Sequence, residues 1–498
     1  MPLAIRSRRA PIVAPHPSRS SHVTSRLLVA CALALALVLS VALPAVVAAQ
    51  DAAPSRDTAL AARYRAAADR LTTAALADSS EFGRLTTLVD RFGSRFSGTP
   101  SLESAIDWIL AEMRADGLEN VHAERVMVPH WVRGEESAEL LSPRRQALPM
   151  LGLGGSIGTP QAGITAPVLV VTSFDDLQRR AAEARGKIVL FDVPFTSYGE
   201  TVRYRTAGAV AAARVGAVAS LVRSITPFAL RTPHAGNMHY DSTVRHIPTA
   251  AITVEDAMLL HRMQDRGERV VVRLRMSART LAPAPSRNVV AELRGTEHPE
   301  QVVVLGGHID SWDVGQGAMD DGGGAVAAWQ AVLLMKRLGL RPHRTVRVVL
   351  WTNEENGVAG GRAYRDAHRG ELAQHILAME TDNGVFTPHG FGFTGSEEAL
   401  AIVRQMMPLL APLHADSVIG DADDADIDPL VAEGVPGIGL RVDGSRYFWY
   451  HHTEADTIDK LDPHEMAMCT AVMAIVAYVA ADMPQPLPHG APPGTSGP

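Results

Sequence analysis

The apolar positions of this chain change texture along its length. After residue 50 the pattern is helical. Residues 51–90 are rich in Ala, Leu, Arg and Asp, and Leu102, Ile106, Ile109, Leu110 and Met113 recur on one helix face, with Thr99-Pro100-Ser101 as the start and Gly117 as the stop. From about Glu136 short apolar runs take over: 168–171, 187–191, 247–250 and 270–274 have strand composition, and the Ala-rich stretch 208–216 between them reads as helix. Leu281-Ala282-Pro283-Ala284-Pro285 then reads as a stiff joint. Beyond it strands and helices alternate. Val302 to Leu305, Val346 to Trp351 and Ile376 to Met379 are candidate buried strands, and Gly322-Gly323-Gly324 opens a helix through Leu338. The alternation predicts an α/β fold, a mixed central sheet with helices on both faces, whose ligands bind beyond the carboxyl ends of the strands. The expected organisation is a main domain over 50–135 and 283–485, a smaller β-rich insertion over 136–282, and a disordered tail over 486–498.

The first 49 residues stand apart. Five arginines and no acidic residue precede or flank the apolar run Leu27 to Leu43, and small residues follow to Ala49. Basic head, apolar middle and small-residue exit read as a secretory signal cut near Ala49–Gln50, which implies an exported protein, periplasmic or extracellular, with no membrane attachment after cleavage. The alternative is a retained anchor, because the run approaches the ~20 residues that span a bilayer. Losing the five arginines takes the net charge from −7 to −12. Such an acidic chain is a poor partner for nucleic acid or an anionic membrane. One cysteine, Cys469, remains, so no intrachain disulfide is available and a buried, inert thiol is expected.

The ends of the predicted strands carry the candidate chemistry. His308-Ile309-Asp310 follows the first, and Asp310 suits the carboxylate that orients a metal-bound imidazole. Asp320-Asp321 precedes three glycines, Glu354-Glu355 follows the second strand, Asp382 the third, and His451-His452 comes after an aromatic run at 447–450. Taken singly, each has a bland reading as a helix cap, an acidic turn or a core histidine. Together they form a mixed imidazole and carboxylate set that suits zinc. The surplus of carboxylates fits two zinc ions sharing one bridging aspartate. One glutamate of the Glu354-Glu355 pair is free to hold the attacking water.

Gly-His-x-Asp at 307–310, Gly-Ala-Met-Asp-Asp-Gly-Gly-Gly at 317–324, Glu354-Glu355, Asp382 and His452 resemble the zinc peptidase family M28. One branch of it is similar nearly letter for letter over 308–324, and again at 134–137, 183–189 and 252–256. The resemblance implies a zinc-peptidase fold with an inserted protease-associated domain. It implies one zinc held by His308, Asp320 and Asp382, a second held by Asp320, Glu355 and His452, and Glu354 as catalytic base. It further implies small peptide substrates, dipeptides with free termini, and a homodimer. Asp426, in the acidic segment 421–428, is the expected contact for a substrate ammonium group. Asn353 departs from the small residue that relatives often carry there.

Three other readings compete: an M28 aminopeptidase acting on longer peptides, a non-enzymatic binding protein on the same fold, and a serine hydrolase. The last rests on Gly154-Gly155-Ser156-Ile157-Gly158, which has the spacing of a nucleophile elbow, but Thr159-Pro160 follows where a helix is needed.

Overall fold

Residues 58–422 and 424–490 are described by a computed structural model. The signal-like segment lies outside them. Two helices, Ala59–Ala77 and Ser80–Phe92, occupy the stretch read as helical, and Pro100–Ala115 follows, capped by Thr99, whose hydroxyl accepts the Leu102 N–H at 3.3 Å.

Among the described residues, sixteen strands then build two eight-stranded sheets. In chain order they are β1 (Glu119–Val132), β2 (Glu136–Ser142), β3 (Gln146–Leu148), β4 (Met150–Gly152), β5 (Ile164–Val171), β6 (Ile188–Phe191), β7 (Ala219–Arg223), β8 (Thr249–Ile252), β9 (Val271–Met276), β10 (Arg279–Leu293), β11 (His298–His308), β12 (Arg344–Trp351), β13 (His375–Glu380), β14 (Pro388–Thr394), β15 (Ser417–Val418) and β16 (Gly437–Val442). The central sheet runs β1-β10-β12-β11-β13-β16-β14-β15, with β12, β11, β13 and β16 mutually parallel. The second runs β3-β2-β9-β5-β6-β7-β8-β4 and draws all its strands from 136–276.

The parallel strands carry continuous apolar runs, such as Val302–Leu305 and Val348–Trp351, because both of their faces are covered. Val303 and Leu305 face one core cluster, and Val302 and Val304 face the other. The first cluster takes in the helices Gly323–Arg337 and Pro463–Asp482. The latter is long and apolar enough to cross a membrane, and most of it is buried in this core. Cys469 lies there as expected, fully buried, its thiol donating to the Phe386 carbonyl at 3.1 Å.

Two expectations are corrected. The segment 281–285 is no joint: it belongs to the long strand β10, which pairs with β1 in register Met127 to Pro285. β12 covers β10 only over Val289–Leu293, so the prolines sit in a two-stranded ribbon with one open side, where a missing N–H is tolerated. Nor does disorder begin at 486, since Leu487 is buried and the Gly490 N–H donates to the Gly434 carbonyl at 2.9 Å.

One buried acid carries a testable cost. Glu81 shares a hydrogen bond with Thr470 across the helical layer, and its second oxygen has no partner. Burial pushes its carboxyl from about 4.5 up to about 8. The folded state then holds a proton that the unfolded chain has released, so stability is full below about 4.5 and is lost as pH rises toward about 8. Glu81→Gln is expected to flatten that part of the urea midpoint's pH profile. The slope removed is at most roughly 1.4 kcal/mol per pH unit. An unchanged slope between parent and variant would show Glu81 titrating normally.

Candidate metal centre

Because β12, β11, β13 and β16 run parallel, their carboxyl ends lie on one edge. His308 is the last residue of β11, Glu354-Glu355 follows β12, Asp382 follows β13, and His451-His452 follows β16 through the short helix Tyr447–Tyr450. Asp320 comes from the irregular turn Ala318–Gly322 before the helix Gly323–Arg337.

These side chains meet. His308 Nε2 lies 3.3 Å from Asp320 Oδ1 and 3.4 Å from Asp382 Oδ1. On the other side of the same aspartate, His452 Nε2 lies 3.3 Å from Asp320 Oδ2 and 3.1 Å from Glu355 Oε2. One carboxylate thus faces two ligand groups, one with each oxygen. Glu354 stands between them and solvent, its Oε2 4.0 Å from His308 Nε2, and its side chain is 20% exposed against 2% for Glu355. Both glutamates line the cavity, but Glu355 Oε1 also accepts the Trp312 backbone N–H at 3.0 Å.

The electrostatics ask for a cation. Buried His308 Nε2, Asp320 Oδ2 and Asp382 Oδ1 have no hydrogen-bond partner. Burial works against charge on His308, yet Asp382, Asp320 and Glu354 outweigh it and raise this imidazole well above its ordinary range. Burial first, then Asp382, pushes Glu354 well up, and burial with Asp320 does the same to Glu355. Repelling carboxylates with unpartnered oxygens beside imidazole nitrogens form a donor set suited to zinc.

Surrounding residues hold the donors in place. Asp310 orients His308 through its backbone: His308 Nδ1 contacts the Asp310 carbonyl at 2.9 Å, and the carboxylate expected in that role is 3.8 Å away. The Asp310 carboxylate instead accepts the Glu354 N–H at 3.1 Å, which anchors the turn carrying both glutamates. Asn353 takes left-handed backbone at φ 69°, a conformation asparagine tolerates, and bonds Ser97 and the Ala359 N–H. Asp321 accepts the His308 and Gly324 N–H groups, and Gly307 and Gly324 leave room for its carboxylate where any Cβ would collide.

Three further residues support the cluster. Asp456 accepts N–H bonds from Ala318, Met319 and Asp320, at 2.8–3.3 Å. Arg95, fully buried, donates to the carbonyls of Ile309, Gln316 and Gly317 and so clamps the loop joining His308 to Asp320. His451 stacks on His452 at 3.5 Å and brings its Nε2 to 3.8 Å from Asp320. Asp456, four residues after His452, offered a faint signal. Arg95 offered none.

Asp426 is fully buried, its two carboxylate oxygens have no hydrogen-bond partner, and its backbone N–H donates to Glu380 at 3.0 Å. Ser156 is also buried, its hydroxyl donating to the Ile157 carbonyl and accepting the Thr249 N–H, and no nucleophile elbow forms.

A cavity of about 690 Å³ opens over the cluster. An imidazole–carboxylate cluster at the carboxyl edge of a parallel sheet, with a mostly buried glutamate facing that cavity, defines a metal-dependent hydrolase. The Peptidase family M28 profile matches residues 288–477. Carboxypeptidase Q of Mus musculus is 52% identical over 82% of this chain and 87% of its own length. A crystal structure of a peptidase M28 precursor from Shewanella amazonensis superposes with TM-score 0.83 at 36% identity, covering 86% of this chain and 99% of that one. A zinc aminopeptidase from Bacillus subtilis shares the fold, with TM-score 0.62 at 18% identity over 81% of this chain and 95% of that one. The chain belongs to peptidase family M28 and is a zinc-dependent peptidase.

Proposed function

We propose that this chain is an exported dipeptidase of carboxypeptidase type that works with two zinc ions. The observation that carries the reading is Asp320, which presents one oxygen to His308 and Asp382 and the other to His452 and Glu355. His308, Asp320 and Asp382 would hold one ion, and Asp320, Glu355 and His452 the other. When bound, the ions acidify water at the site and polarise the substrate carbonyl. Glu354, unligated and facing the cavity, takes the proton of the attacking water and returns it to the departing amine.

Short substrates suit the cavity, which residues of the second sheet's segment, Tyr198 and Arg205 among them, line together with the ligands. We take the segment 136–276 as the protease-associated insertion and the chain as a homodimer. Metal analysis is expected to give two zinc ions per chain. Chelation is expected to abolish dipeptide hydrolysis, and added zinc to restore it. One ion per fully active chain would refute the bridged pair, and tetrapeptides cleaved as fast as dipeptides would favour the aminopeptidase reading.

A further inference from the structure

The cavity lining carries four carboxylates, Asp320, Glu354, Glu355 and Asp382, and one arginine, Arg205. Arg205 sits in the short helix Arg203–Thr206 and is 5% exposed. Its Nη2 donates to the Tyr198 hydroxyl at 2.7 Å and its Nη1 to the Ala235 carbonyl at 3.3 Å, while Nε has no partner. Two of the five N–H donors that a guanidinium carries are thus used, both on neutral acceptors. A buried cation is costly unless an anion meets it, and among the described residues none forms an ion pair with this one.

The arginine is also fixed with respect to the metal ligands. Tyr198 stacks on Phe448 at 5.0 Å and meets His451 edge-on at 5.3 Å. Ala235, which accepts from Arg205, donates its own N–H to the His452 carbonyl at 2.8 Å. The turn bearing the metal-site histidines and the arginine's two partners are one packed unit.

A planar guanidinium with unfilled donors matches a carboxylate. Arg205 lines the same cavity as Asp320, Glu354, Glu355 and Asp382, so a substrate whose reacting carbonyl lies at the ligands can bring its anionic end to this guanidinium. We propose that Arg205, braced by Tyr198, binds the free α-carboxylate of the residue on the leaving side of the scissile bond and selects substrates by their C-terminal carboxylate. The inference rests on the small-peptide, carboxypeptidase-type reading above and adds the residue that recognises the free C-terminus.

The test uses the zinc-loaded full chain and a panel in which length and C-terminal charge vary independently: a dipeptide and a tripeptide, each as free acid and as C-terminal amide. The parent is expected to prefer the acids. Arg205→Met is expected to bring the acid-to-amide ratio of kcat/KM close to one, with at least about a 30-fold loss on the acids carried mainly by KM. Arg205→Lys, which keeps the charge without the fork, should fall between. A parent that cleaves acid and amide alike, or an Arg205→Met enzyme that keeps the parent's ratio, overturns the proposal. Should Arg205→Met lose zinc or melt early, Arg205→Lys decides, and an undiminished acid preference there overturns it equally. Equal rates on dipeptide and tripeptide acids with the ratio intact would unseat the dipeptide reading and leave the carboxylate site standing.

Discussion

Glu354→Gln is expected to retain zinc and lose kcat by about 10²–10⁴, the usual contribution of a positioned acid–base group. The substitution keeps size and shape. It removes only the ability to take a proton from water and deliver it to the leaving nitrogen. Glu354 lines the cavity, and its backbone is held by Asp310, so the loop should not move when the charge goes. Removing one of several crowded carboxylates also relieves repulsion, since Asp382 is the largest charged contributor to the upward shift of Glu354. Metal affinity should therefore survive. The measurement is kcat on a dipeptide with zinc content determined on the same sample. Turnover equal to the parent's would remove Glu354 from the mechanism, and loss of zinc would make it a ligand. Glu355→Gln gives the contrast: its Oε2 lies against His452 in the wall, so it should lose metal along with activity.

The site could be read from sequence because of the sheet. Residues buried on both faces of parallel strands leave continuous apolar runs, and the break in each run marks the carboxyl end where chemistry gathers. His308, Glu354, Glu355 and Asp382 stand at such breaks. Where the chain leaves regular structure the reading thinned. The Ala318–Gly322 turn has no periodicity, so sequence could suggest that one of Asp320 and Asp321 faces the metals without the geometry that separates them. Asp321 instead spends its carboxylate on backbone N–H groups. Arg95 and Arg205 left no local trace because each acts on segments far from it in the chain. Arg205 belongs to the smaller sheet's part of the chain, where its role depends on contact with the His451-His452 turn. The prolines of β10 misled for the opposite reason: a local rule against proline in strands yields wherever one side of the strand is unpaired.

Asp320→Ala is expected to lose both ions, where loss of any other single ligand should spare one. The asymmetry follows from geometry. Asp382 approaches only His308, and Glu355 only His452, but Asp320 stands 3.3 Å from each imidazole through a different oxygen. Burial opposes charge on Asp320, yet the two imidazoles beside it outweigh burial and hold this carboxyl well below its usual range. Asp382→Ala and Glu355→Ala should each leave about one ion per chain, and Asp320→Ala close to none. Activity would be lost in all three, so stoichiometry is the deciding measurement. Stability supplies a second. Zinc binds the folded chain and not the unfolded one, so it raises Tm by mass action, and a chelator should lower the parent's Tm by an amount that depends on free zinc. In Asp320→Ala the chelator should have nothing to remove, and Tm should not respond. Two ions retained by Asp320→Ala, or a chelator-sensitive melt equal to the parent's, would mean that the two ligand groups bind independently and that no residue bridges them.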